Sequence, residues 1–136
     1  MVIVTTPQAV AEKVAQRAGF MAEKTGLNVT AVVENMSYFR GDDGKEYKIF
    51  GEGGGATLAE KLHVPLIGQM PIDPELRMLA DTGTPIVVHA PDSEVAQALD
   101  TAAKELVNLL PPKPRQAKRV NLPLIPQISV GHQHSH

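Results

Sequence analysis

Short apolar runs alternate with amphipathic stretches along this chain, and that alternation limits the fold more than any other feature. Val2-Ile-Val4, Val29 to Val33 and Val64-Pro-Leu-Ile-Gly-Gln-Met70 are too short for buried helices and rich in β-branched residues, so they read as strands. The runs are apolar nearly throughout, the pattern of strands covered on both faces. Between them, Ala9 to Lys24 carries Val10, Val14, Ala18 and Met21 at helical spacing, and Ala56 to Leu62 turns Leu58, Ala59 and Leu62 to one side. Strands alternating with helices imply an α/β fold: a partial parallel sheet with right-handed crossovers and flanking helices. Because the chain opens already inside a strand, the first half of such a sheet is expected to be missing, which leaves an exposed edge prone to pairing.

Local signals set the boundaries. Thr6-Pro7 reads as cap and first helical residue, and Gly26 as the stop of that helix. Asp73-Pro74 starts a short helix to about Ala80. Ile86-Val-Val88 reads as a short strand. Asp92 caps a long helix with Val95, Leu99, Ala102, Ala103, Leu106 and Leu110 on one face, and Pro111-Pro112 stops it. Met36 to Phe50 is a polar excursion centred on Asp43-Gly44, a strong hairpin-turn dipeptide, so a small two-stranded ribbon is expected there. Residues 1–112 thus form the body, and 113–136 a basic, Pro-rich tail ending in alternating histidines.

Composition narrows the function classes. With 136 residues, 43% hydrophobic, the chain suffices for one domain with a real core. No apolar run is long enough to span a membrane, and Met-Val-Ile-Val-Thr-Thr lacks the basic start of a signal peptide, so a cytoplasmic location is expected. There is no cysteine, hence no disulfide, thiolate ligand or cysteine nucleophile. The body holds all 15 acidic residues against 9 of the 13 basic ones, for a net charge of -6, while the tail carries +4. A negative body argues against nucleic acid as the main ligand.

Two neighbouring stretches have ligand-competent chemistry. Ala31-Val-Val33 runs straight into Glu34, Asn35 and Ser37, which places polar groups at the carboxyl end of a strand, where open α/β sheets bind ligands. Gly53-Gly-Gly55 then leads into a helix, where backbone N–H groups can approach an anion. Gly51-Glu-Gly-Gly-Gly-Ala56 formally fits a dinucleotide fingerprint with Asp73 as its distant acid, but Lys48-Ile-Phe50 is a poor core strand to precede it. Asp42, Asp43, Glu46 and Glu52 could coordinate a hard cation, yet a solvated Asp-Gly hairpin tip needs the same residues. His132, His134 and His136 are weak metal-ligand candidates on the tail, and His63 and His89 stand alone.

Six segments in order resemble the carboxyl-terminal part of the Mrp/ApbC family, MinD-like P-loop ATPases that serve as iron–sulfur cluster carriers. They are Val2-Ile-Val-Thr-Thr-Pro-Gln8, Val32-Val-Glu-Asn-Met-Ser-Tyr38, Ile49-Phe-Gly-Glu-Gly-Gly-Gly55, Val64-Pro-Leu-Ile-Gly68, Pro71-Ile-Asp-Pro74 and Gly83-Thr-Pro-Ile-Val87. The resemblance implies the carboxyl-terminal half of a MinD-like fold. Asn35 would stand at the nucleotide base, with Pro71, Ile72 and Asp73 on the other side of the base pocket. It further implies ATP and Mg²⁺ as ligands of the intact protein, a homodimer or a missing amino-terminal half as partner, and apoprotein clients. Two departures matter. The family's Lys-Gly-Gly-x-Gly-Lys-Ser/Thr loop is absent, so no hydrolysis and no cofactor are expected of this chain alone. Where many members carry Cys-x-x-Cys, this chain has Arg40-Gly-Asp-Asp-Gly-Lys45, so an iron–sulfur cluster lacks its usual ligands. The alternative is a non-catalytic module that pairs its sheet edge with a partner chain.

Overall fold

The computed structural model describes residues 1–110; the tail, with His132, His134 and His136, lies outside the described residues. In chain order the elements are β1 (Val2–Thr5), α1 (Ala9–Lys24), β2 (Ala31–Arg40), β3 (Glu46–Tyr47), α2 (Gly54–Lys61), β4 (Leu66–Pro71), α3 (Pro74–Asp81), α4 (Ile86–His89) and α5 (Glu94–Leu109). β2 is central. It pairs in parallel with β1, Val2 opposite Ala31 through Thr5 opposite Glu34, and in parallel with β4, Val32 opposite Leu66 and Glu34 opposite Gln69. The fold is therefore α/β with a partly parallel sheet and flanking helices.

β2 runs beyond its apolar half. Met36 takes a left-handed φ of 54°, the register against β4 shifts between Glu34 and Tyr38, and the strand continues to Arg40. There it pairs antiparallel with β3, Phe39 opposite Tyr47 and Arg40 opposite Glu46, so the expected ribbon exists as an extension of a core strand. Gly44, at φ 77°, makes its turn, a conformation glycine adopts without steric cost.

Two apolar clusters form the core, one of them against the sheet. α1 and α2 pack Ala15, Leu58, Ala59 and Leu62 on Ile3 and Val32, and Leu79, Ile86 and Val95 form a second cluster beneath α3, α4 and α5. α1 does not bury the face its periodicity suggests. Val10, Val14 and Met21 are 77%, 62% and 61% exposed, while Ala15, Gly19 and Ala22 face the core. The reason is close approach: a Cβ on Gly19 would stand 2.9 Å from both Leu62 methyls. Small residues let α1 settle onto α2.

Three further expectations are corrected. α1 starts two residues late, with Gln8 at its cap and no side-chain bond there, so Thr6 does not cap it. Ile86-Val-Val88 is a helical turn, not a strand: Pro85 opens it, His89 and Ala90 donate to the Pro85 and Ile86 carbonyls, and Ile86 is buried between Leu79 and Val95. Ser93, not Asp92, caps α5, its Oγ accepting from Ala96 N–H at 3.3 Å.

Candidate functional site

The polar residues of β2 divide between its two sides, Glu34 and Ser37 to one and Asn35 to the other. Glu34 turns inward and is only 2% exposed. Its Oε2 accepts from the Gly55 N–H at 2.6 Å and its Oε1 from the Ser37 hydroxyl at 2.7 Å, with Gln69 Nε2 at 3.5 Å. A carboxylate at the start of a helix is favoured by the helix dipole and by the unpaired N–H groups there. The glycines permit the approach: a Cβ on Gly55 would lie 2.7 Å from Glu34 Oε2, and one on Gly54 2.7 Å from the Pro7 carbonyl oxygen. The glycine-rich start of α2, where an external anion was expected to have access, is thus met by the protein's own carboxylate at Gly55.

Asn35 points the other way, into an open groove of about 790 Å³ shared with Met36, Phe50, Pro71, Ile72, Asp73 and the length of α3. All four residues named from the resemblance, Asn35, Pro71, Ile72 and Asp73, line this groove. The Asn35 side-chain carbonyl accepts from the Met36 N–H at 2.9 Å, and its NH₂ group finds no protein acceptor among the described residues. Ile72 N–H donates to the Tyr38 carbonyl at 2.7 Å, which ties the end of β4 to the second half of β2. Asp73 caps α3, accepting from Glu75 N–H at 2.8 Å, so it builds the groove wall while lining it.

Behind Asn35, Glu34 and Ser37 line a separate polar cleft of about 370 Å³ between α5, β4 and the hairpin. Tyr38 and Glu46 of its lining belong to an ion-pair network that sequence reasoning missed. Arg40 donates through Nε and Nη2 to Glu94 at 2.7 to 2.9 Å and through Nη2 to Glu46 at 2.9 Å, and the Tyr38 hydroxyl donates to Glu94 at 2.7 Å. Burial, then the Glu94 carboxylate, push the Tyr38 phenol up to about 12. Arg40, then Tyr38, hold Glu94 below the usual carboxylate range. The network latches the hairpin onto the start of α5. Tyr38 and Arg40 share a face two residues apart, which was readable only had β2 been extended past Ser37.

The remaining candidates have local explanations. Asp43 accepts from Lys45 N–H at 3.0 Å and from the Tyr47 hydroxyl at 2.6 Å, and Glu52 pairs with Lys48. Gly51 to Ala56 follows a turn closed by Gly51 N–H on the Lys48 carbonyl rather than a core strand, which the dinucleotide fingerprint requires. His89 stands 3.6 Å from Glu75. Among the described residues no three His, Cys, Asp or Glu side chains converge on a common point, and no helix is long and apolar enough to cross a membrane.

Comparison with known proteins bears on the same residues. The family model of the NUBPL iron-transfer P-loop NTPases, within ParA, matches residues 1–107. An iron–sulfur cluster carrier protein of Mycobacterium tuberculosis is 44% identical over 112 residues, covering 78% of this chain and 29% of its own length. The chain therefore spans about three-tenths of that curated relative. Among solved structures, the cell division ATPase MinD of Pyrococcus furiosus superposes with a TM-score of 0.61 at 27% identity, over 79% of this chain and 42% of that one. A nucleotide-binding protein of Archaeoglobus fulgidus in complex with ADP is 42% identical with a TM-score of 0.52, over 60% of this chain and 34% of its own. With a family model matched across most of its length, this chain belongs to the NUBPL-type iron-transfer P-loop NTPases of the ParA group.

Proposed function

We propose that residues 1–112 supply the base side of the nucleotide site in a cytoplasmic, ATP-binding iron–sulfur cluster carrier or assembly protein that works as a dimer and hands its cluster to apoprotein clients. The supporting observation is the groove between the middle of β2 and the carboxyl end of β4, where Asn35 offers an amide whose NH₂ group has no acceptor among the described residues, opposite Pro71, Ile72 and Asp73. An amide that both donates and accepts suits the edge of adenine. Phosphates and Mg²⁺ fall to residues other than those present here, since the sequence contains no Lys-Gly-Gly-x-Gly-Lys-Ser/Thr loop. The cluster, as cargo, is held by ligands other than thiolates of this chain, which has no cysteine.

Nuclear magnetic resonance of the ¹⁵N-labelled chain titrated with ADP tests this. ADP is expected to move the cross-peaks of Asn35, Ile72 and Asp73. Asn35→Ala should weaken ADP binding about tenfold, the worth of one or two neutral hydrogen bonds, with little effect on GDP. Movement confined to the cleft behind Glu34, or an ADP affinity indifferent to Asn35→Ala, rejects the assignment.

The alternative, a module that pairs its sheet edge with another chain, is favoured by a separate observation. Among the described residues β1 is bonded on one side only, to β2. On α1, Glu12 pairs with Lys61 of α2 at 2.7 Å, and at 3.6 residues per turn the exposed Val10, Val14 and Met21 lie on the opposite flank, beyond the free edge of β1. An open edge beside an apolar helix flank invites a further strand and helix. On this reading the chain self-associates in sedimentation, and Val14→Arg with Met21→Arg yields monomers that keep the parent's helix content. A monomeric parent chain at micromolar concentration speaks against this reading.

A further inference from the structure

We infer that Glu34 is the positioning residue of the Asn35 groove, acting through Ser37 and Met36 rather than on any ligand. This rests on the proposed role of the groove in holding the base. Glu34 does not line that groove; it lies on the other side of β2. Its carboxylate is gripped at both oxygens, by the Gly55 N–H at 2.6 Å and the Ser37 hydroxyl at 2.7 Å. The Ser37 hydroxyl also lies 3.2 Å from the Glu34 backbone carbonyl, so it closes a loop around the two intervening residues, Asn35 and Met36.

Met36 is the strained member of that loop. A left-handed conformation in a residue with a Cβ is unfavourable and persists only where the surroundings hold it. The two short hydrogen bonds that fix the buried Glu34 side chain, from Gly55 and from Ser37, supply that hold. Asn35 follows from Met36, because the Asn35 side-chain carbonyl accepts from the Met36 N–H at 2.9 Å. The direction of the Asn35 amide is therefore set by the Met36 peptide, and that peptide by the grip of Ser37 and α2 on Glu34. A corollary is that the Gly55 N–H is already committed and does not serve a nucleotide phosphate.

The test uses the full ¹⁵N-labelled chain, first without ligand and then with ADP or GDP. Glu34→Ala is expected to displace the Met36 backbone and Asn35 side-chain cross-peaks before any ligand is added. It should also reduce the preference for ADP over GDP about tenfold. Glu34→Gln, whose amide oxygen still accepts from Gly55, should restore both to near the parent values. Ser37→Ala, which leaves the Gly55 bond in place, should displace the same two cross-peaks and carries the test if Glu34→Ala does not fold. Unmoved Met36 and Asn35 cross-peaks in either alanine variant overturn the inference. So does a loss of selectivity in Glu34→Gln as large as in Glu34→Ala, accompanied by equal loss of melting temperature. A parent chain with no preference for ADP rejects the base-site reading alone, and the ligand-free displacements still decide the role of Glu34.

Discussion

Replacing Gly54 by alanine should lower the melting temperature of this chain by roughly 10 °C, although alanine is the better helix former. The added Cβ would sit 2.7 Å from the Pro7 carbonyl oxygen, 2.9 Å from its carbon and 3.0 Å from its Cα. Those are backbone atoms of the turn between β1 and α1, so no side chain can rotate away. Overpacking of this kind costs about 1–3 kcal/mol, which exceeds the helix-propensity gain at a first-turn position, and each kcal/mol shifts a domain of this size by roughly 4–8 °C. Gly53→Asn is the control. Gly53 has φ 82° with no atom near its missing Cβ, and Asn tolerates that conformation, so only a small change is expected. Thermal unfolding followed by circular dichroism reads both. A Gly54→Ala variant as stable as the parent would show that α2 does not rest on Pro7.

What the sequence revealed of the fold depended on which residues did the packing. The parallel strands were legible because β1, the first half of β2 and β4 are continuous apolar runs. The orientation of α1 was not, because the buried residues are Ala15, Gly19 and Ala22, small groups that carry little hydrophobic signal, while Val10, Val14 and Met21 stand exposed. Close helix packing selects small side chains, so the strongest apolar stripe marked a free flank instead of the core. Ile86-Val-Val88 failed for another reason. β-branched residues favour a strand only where a neighbouring strand is there to pair with, and here Ile86 fills a gap between Leu79 and Val95 instead.

The site was legible unevenly. That Asn35, Pro71, Ile72 and Asp73 meet in one groove came from resemblance; spacing along the chain gave no means of bringing β2 and the end of β4 together. The polar termination of β2 was visible, but not the return of Ser37 to the side of Glu34 three residues on, which departs from strand alternation at the irregularity of Met36. Nor could sequence show that the glycines beside Phe50 admit the Glu34 carboxylate, since that depends on how closely α2 approaches the sheet. Tyr38, Arg40 and Glu94 were missed because the last two lie far apart in sequence and join only when the hairpin folds against α5.

Leu58→Ala should have the largest effect of any single truncation here, a loss of about 3–4 kcal/mol. Leu58 is fully buried on α2, within the cluster of Ile3, Ala15, Val32, Ala59 and Leu62 that joins both crossover helices to the sheet. Its neighbours cannot collapse into the space. Val32 is fixed in the central strand, and Ala15 and Ala59 are too short to reach in. The penalty is then the lost transfer free energy plus most of a retained cavity. Because small domains are stable by only about 5–15 kcal/mol, such a loss removes a large share of the total. Equilibrium urea unfolding measures it, with Val14→Ala as comparison: at 62% exposure Val14 should change stability by less than about 0.5 kcal/mol. Equal costs at the two positions would mean that the α1 flank is covered in solution, and that the surface beside β1 already has an occupant.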